Sequence, residues 1–306
     1  MSRGGDRMSE DGKTPAWTRH LGHTGITWPF TPEGAKQAIA DVAAAGYSGI
    51  ELFGFVLDEY PGGLDAVQDD LAAAGLRYVS SYCSVSLVDP ELRDSDLTKM
   101  RRWAGQIADL GGSVAVVGPD QRHREAYAAE DYTRAAETLN DIGRICASFG
   151  VHACFHPHTG TPVETRDEIR QVMDRIDPDV VAMAPDTGQI AKGGADPVEV
   201  VRSYRELIKH LHLKDYVGGT STVDWEGSTN DRTGYLDYVP VGDGVVDVVA
   251  ILDALGPDWP GWVMVELDGT ENSPRAPIDA ARMSRQYLDQ LTEAASSEAA
   301  GQGVRS

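Results

Sequence analysis

Cysteine is scarce in this 306-residue chain, and the three present, Cys83, Cys146 and Cys154, show no CxxC spacing. That excludes a disulfide framework and a thiolate zinc site, and leaves reduced core residues as the reading. Basic side chains are also few: 27 Lys and Arg stand against 48 Asp and Glu, a formal charge of −21. Such an acidic surface repels phosphate backbones and anionic membranes, and no basic cluster offsets it, so no nucleic acid and no membrane is expected as a partner. No apolar run approaches the roughly 18 residues of a membrane span, and the opening MSRGGDRMSEDGKTP lacks the apolar segment of a secretory signal. The expected location is cytoplasmic. No GxGxxG follows the first predicted strand, and GxxxxGK followed by Ser or Thr is absent throughout, which removes the dinucleotide and P-loop readings.

What is present is a regular alternation. Short β-branched or apolar runs begin near Leu21, Ser48, Arg77, Ser113, Val151, Val180, Ile208 and Gly261, separated by amphipathic stretches such as Pro32 to Ala45, Asp131 to Phe149 and Pro274 to Leu291. Several helical stretches end in glycine just before the next strand, as in AAAGYSG, AAAGLRY, DLGGSV and SFGVHA, which is helix C-cap chemistry. Eight βα units over roughly 270 residues predict an α/β fold, a closed (β/α)8 TIM barrel rather than an open doubly wound sheet. Residues 20–294 are expected to form this single domain. Residues 1–19 and 295–306, polar and uncapped, read as disordered tails. The long connection from Tyr216 to about Gly242, with Trp225, Tyr235 and Tyr238, follows the seventh strand and reads as a lid over the mouth.

The chemistry-bearing residues gather in the second half of the chain. The fifth strand ends in FHPHTGT with His156 and His158, and the sixth in APDTGQ with Asp186. The seventh contains HLHLKD with His210, His212, Lys214 and Asp215, and the eighth ends in VMVELDG with Glu266. Alternate strand residues of a barrel point inward and the strand C-termini converge, so His156, Asp186, His212 and Glu266 are expected to meet at one mouth. Two imidazoles and two carboxylates suit a divalent ion such as Mn2+, Co2+, Zn2+ or Fe2+, with Mn2+ the expected cofactor. His210 lies one layer deeper, and His152 at its strand start reads as structural. Glu51, at the end of GIELF, directs a carboxylate toward the same mouth, and Lys214 reads either as a substrate contact or as a partner for a surface acid. His23, Trp28, Tyr82, Gln189 and Trp225 are expected to line the substrate pocket. The segment VGDGVVD, residues 241–247, reads as a turn capped into the following helix.

Taken together, GYSGIEL, FHPHTGTPVETRDEI, PDTGQIAKGGADPVEVV, IKHLHLKD, PVGDGVVDVVAIL and GWVMVELDG resemble the sugar phosphate isomerase/epimerase family of xylose-isomerase-like TIM barrels over about residues 20–292. FHPHTGT followed by a helix and DTG looks like the inosose dehydratases. The resemblance implies that Asp186, His212 and Glu266 are metal ligands, with His156 standing where many relatives place a glutamate and His158 an alternative ligand or an acid/base. Two departures stand out: Gln189 replaces the histidine of the frequent DTGH, and His156 replaces one of the two glutamates used by the family's epimerases.

The expected enzyme chemistry is metal-assisted removal of a proton α to the carbonyl of a keto-sugar or cyclitol, with His158, Glu51 and Lys214 as catalytic groups. An enolate of this kind leads to isomerisation, epimerisation or dehydratase-like elimination. The sequence leaves other readings open: the barrel subunit of a C-glycoside deglycosidase working with a small second subunit, a homo-oligomer, a non-catalytic sugar-binding barrel, and an apurinic-endonuclease-like phosphodiesterase. The last needs a basic groove that a charge of −21 makes hard to build.

Overall fold

A computed structural model describes residues 15–121, 124–218, 237–268 and 275–302. In chain order its strands are β1 (Leu21–Thr24), β2 (Gly49–Phe53), β3 (Arg77–Val85), β4 (Val114–Pro119), β5 (His152–Phe155), β6 (Val181–Met183), β7 (His210–Leu213), β8 (Asp215–Tyr216), β9 (Tyr238–Val239) and β10 (Trp262–Val265). Helices α1 (Pro32–Ala44), α2 (Gly54–Asp58), α3 (Gly63–Ala74), α4 (Arg93–Asp109), α5 (Ala129–Ala147), α6 (Arg166–Met173), α7 (Thr187–Lys192), α8 (Pro197–Tyr204), α9 (Val248–Leu255) and α10 (Pro277–Gln302) lie between and after them.

Eight strands pair in parallel in the order β6-β5-β4-β3-β2-β1-β10-β7. Parallel bridges Met183 to Ile208 and Asp186 to His212 bring β6 against β7, so the sheet curls into the expected barrel. β8 and β9 form a separate antiparallel ribbon that continues from β7. Each predicted strand start falls within two residues of an observed one.

Local chemistry accounts for the helices. Thr31 caps α1 by accepting from the Gly34 amide, with Pro32 in the first turn, and Thr165 and Glu168 form a capping box on α6. Along α5 the buried Tyr132, Ala135, Ala136, Leu139, Ile142 and Cys146 recur every three or four residues, giving the apolar stripe that covers β5 and β6. The four glycines of the helix-ending motifs, Gly46, Gly75, Gly111 and Gly150, all have positive φ. All three cysteines are free and buried. Among the described residues no helix is long and apolar enough to cross a membrane.

Both expected tails need correcting at their inner ends. Ala16–Arg19 form a 3-10 turn in which Trp17 is buried and the Ala16 amide donates to the Pro257 carbonyl at 2.7 Å, because an indole left in water would forfeit its apolar burial. At the other end α10 runs on to Gln302, since the alanine- and glutamate-rich segment past residue 295 is compatible with continued helix.

One buried carboxylate organises the loop that returns from the ribbon to α9. Asp215 accepts hydrogen bonds from the amides of Tyr216, Gly242, Gly244 and Val246, at 2.9 to 3.0 Å. The segment 241–247 is therefore wrapped around this side chain before Asp247 caps α9, as the turn reading expected. Replacing Asp215 by alanine removes the shared acceptor of four amides, and the expected cost is on the order of 3 kcal/mol of unfolding free energy, read from urea denaturation followed by circular dichroism. An unchanged midpoint would show that water serves those amides equally well.

Candidate active site

The strand period of two fixes which side chains enter the barrel. His210, His212 and Lys214 follow one another along the inner face of β7 and its extension, and all three are buried. The stem of Lys214 passes over Gly188 of the DTG motif, where an added Cβ would lie 2.6 Å from Lys214 Cγ. The Thr187 hydroxyl donates to the Lys214 carbonyl and accepts from its amide, tying α7 to β7. That glycine therefore makes room for the lysine.

Lys214 Nζ lies 2.7 Å from Glu266, 2.7 Å from Asp268 and 3.1 Å from Asp186, with the Tyr238 ring 4.7 Å away. Burial works against its charge, yet the three carboxylates hold its pKa well above the ordinary lysine value. Glu266 experiences the reverse: burial would raise it, but Lys214 and His212 keep it well below the usual carboxylate range. Asp186 is pushed up, because burial outweighs its contact with Lys214. Its other oxygen caps α7 by accepting from the Gln189 amide.

A second layer sits behind His212. Glu51, on β2, accepts from the Ser80 hydroxyl at 2.6 Å and meets Nε2 of His210 at 3.0 Å and Nε2 of His212 at 3.1 Å. Burial would raise its carboxyl, but the two imidazoles bring it down to about 2. His212 is carried well above the ordinary histidine value against the effect of burial, by Glu51 and Glu266 on its two sides. Glu51 therefore holds Nε2 and leaves Nδ1 directed toward the mouth, where it meets Glu266.

His156 completes the group. Its Nδ1 faces the Ala184 carbonyl at 3.2 Å, which leaves Nε2 as the buried lone-pair nitrogen, without a partner. Burial lowers its pKa well below the ordinary value, so the ring is neutral and suited to ligation. Ligand atoms of His156, Asp186 and His212 lie within 4.8 Å of one another, and Glu266 Oε2 is 2.6 Å from His212 Nδ1. Three buried carboxylates, Asp186, Glu266 and Asp268, surround the ammonium of Lys214, and a fourth, Glu51, is buried behind His212. Buried negative charge in excess, together with the unpartnered Nε2 of His156 beside His212 and Asp186, fits a divalent cation. Glu51, His210 and His212 also approach closely enough to ligate, but hydrogen bonds already occupy the Glu51 carboxylate, so it reads as the residue that orients His212.

The remaining expectations divide. His158 is half-buried beside this cluster, its ring 5.9 Å from that of His156, with Nδ1 2.7 Å from the Thr159 carbonyl. Donation there leaves Nε2 as its basic nitrogen. Burial, then Lys214, lowers its pKa. Tyr82 is at the mouth, its ring 5.4 Å from His156. His23 and Trp28 are not: His23 packs between Trp28 and Tyr47, and the Trp28 indole donates to Asp41 on α1, so both belong to the layer between barrel and helices. Gln189 is fully engaged, accepting from Thr159 and Tyr238 and donating to Asp268, which makes it a brace rather than a substrate contact. Trp225 and most of the expected lid lie outside the described residues.

Sequence reasoning overlooked Asp268, although it shares the inner face with Glu266 two residues earlier. It also passed over Ser80, Thr24 and the pairing of Tyr238 with Lys214, which depends on the ribbon. Removing the Glu51 charge as Glu51→Gln is expected to weaken divalent-ion affinity by about 10- to 100-fold in a folded protein, measured by calorimetric titration, because the imidazole loses its orienting carboxylate. An unchanged affinity would contradict that role.

Comparison with known proteins agrees with this architecture. A curated inosose dehydratase from Geobacillus kaustophilus is 29% identical over 273 residues, covering 83% of this chain and 86% of that enzyme. Among solved structures, an IOLI protein with a bound zinc atom superposes with a TM-score of 0.70 at 16% identity, covering 89% of this chain and 98% of that one. The 3-keto-D-glucoside 4-epimerase YcjR from E. coli gives a TM-score of 0.66 at 17% identity over 89% and 99% of the two chains. At such identities the structural matches speak for the fold. Residues 39–291 match the xylose isomerase-like TIM barrel model, and the chain belongs to that family.

Proposed function

We propose that this protein is a divalent-metal-dependent lyase that removes water from a keto-cyclitol or keto-sugar by taking a proton α to the carbonyl. The observation that carries the reading is the convergence of His156, Asp186, His212 and Glu266 at the barrel mouth, beside an imidazole, His158, whose Nε2 is left as the acceptor. Similarity to curated inosose dehydratases points the same way.

His156, Asp186, His212 and Glu266 would hold the ion. Bound there, it would supply Lewis acidity that polarises the substrate carbonyl. His158 Nε2 takes the α-proton, the electron pair moves toward the carbonyl, and the β-hydroxyl departs. The resulting imidazolium returns its proton to that hydroxyl, so one side chain on one face balances the loss of water. Tyr82, whose phenol burial keeps protonated, donates a hydrogen bond to a substrate oxygen. Lys214 keeps Asp186, Glu266 and Asp268 in place and offsets their charge. Epimerisation needs a base on each face of the substrate; the position just after β5 that would supply one carries His156, whose free nitrogen would be used for ligation.

Solvent exchange of the α-proton tests this. With Mn2+ and 2-keto-myo-inositol in deuterated water, NMR is expected to record α-deuteration and release of the dehydrated product, and a chelator is expected to abolish both. His158→Ala is expected to slow turnover by about 10²- to 10⁴-fold while retaining bound metal. Full activity in that variant, or a metal-loaded enzyme that exchanges no α-proton of any keto-cyclitol or keto-sugar, would contradict the proposal.

A further inference from the structure

The rim of the mouth carries exposed aromatic surface that the reaction above does not use. Phe30, just before α1, and Phe55, within α2, are 51% and 41% exposed, although burial of either would be favourable. Both follow the C-terminal ends of barrel strands and therefore stand on the face where barrel active sites lie. Their rings are in contact with the half-buried Phe53 at the end of β2, at 4.8 Å and 5.3 Å between centroids, and with each other at 6.1 Å. Phe53 in turn meets Tyr82 at 5.4 Å, and Tyr82 meets His156 at 5.4 Å. A continuous row of rings thus runs from solvent to a metal-ligand position.

Two further features join this row to the reacting centre. A cavity of about 10 Å3, room for about one water, is lined by Phe53 and Tyr82 on one side and by Glu51 and Glu266 on the other. Thr24 also lines it, and its buried hydroxyl has no hydrogen-bond partner. A ligand hydroxyl at that point would satisfy Thr24 while the remainder of the same molecule lay against Phe53.

The size of the exposed surface selects its occupant. An aromatic side chain presents roughly 150–250 Å2, so half of Phe30 and of Phe55 together offer on the order of 200 Å2. A stable protein interface needs about 800 Å2 from each partner, so a second copy of the chain or a partner protein is poorly matched to this surface. One flat ring of a small molecule fits it, through offset or edge-to-face contact. We propose that Phe30, Phe53 and Phe55 form an aryl-binding shelf, so that the site takes a keto-sugar bearing an aromatic or similarly flat apolar substituent. This rests on the reading of the mouth as a keto-sugar site and adds the part of the substrate that extends toward solvent.

Binding of unreactive probes separates the two ideas. Phenyl and methyl β-D-glucopyranoside, which carry no ketone, are titrated into the full-length Mn2+-loaded protein by calorimetry, and turnover of the corresponding keto-glucosides is followed separately. The phenyl compound is expected to bind about tenfold more tightly. Phe30→Ala/Phe55→Ala, whose rings are about half exposed, is expected to bring the ratio of the two Kd values close to one. Equal affinities in the unaltered protein, no binding of either probe, or a preference that survives the double substitution would overturn the shelf. So would sedimentation that reports a dimer in the unaltered protein and a monomer in the double variant. Loss of keto-glucoside turnover with the phenyl preference intact would instead count against the lyase reading alone.

Discussion

Lys214 places an ammonium group at the floor of the barrel mouth, out of contact with water, and three carboxylates close around it. Taking a charge out of water is expensive, and the surrounding carboxylates are equally costly without it, so neither set persists alone. The cluster joins segments distant in sequence: Asp186 at the start of α7, Lys214 beyond β7, Glu266 and Asp268 beyond β10. Gly188 leaves space for the lysine stem, Thr187 fixes its backbone, and Gln189 binds Asp268 to the ribbon through Tyr238. The geometry of the mouth depends on this one charge.

Around that charge the histidines take distinct roles from their second nitrogens. His156 gives Nδ1 to a carbonyl and keeps Nε2, whereas His212 gives Nε2 to Glu51 and keeps Nδ1. His210 supports Glu51 from below. Each ring thus reaches the centre by the nitrogen that its neighbour leaves free, the usual means by which an outer layer orients metal ligands. The aromatic row then leads outward on the opposite side, from His156 through Tyr82 and Phe53 to solvent.

The barrel was legible because its signals are local and repeated. Short apolar strand runs and amphipathic helices alternate through eight units, four of them joined by glycine C-caps, and convergence at the mouth follows from barrel geometry without any knowledge of contacts. The same reasoning expected His156, Asp186, His212 and Glu266 to lie together, since each stands at a strand end, and their side chains are neighbours at the mouth. It failed where inward and outward positions differ by one residue: Thr24 faces the cavity, while its neighbour His23 packs against Tyr47. Saturation was also invisible, because the partners of Gln189 come from three separate segments. Trp17 and the inner turn of the N-terminus show that a polar stretch can contain an anchored residue.

Elemental mass spectrometry of untagged protein, alongside His212→Ala shown to be folded by circular dichroism, tests the shared metal site most directly. About one equivalent of manganese, cobalt, zinc or iron in the unaltered protein, lost in the variant, is the expected result. A protein that carries no such ion and rebinds none when it is added back, or a folded variant that retains a full equivalent, would contradict a site built from these four strand ends.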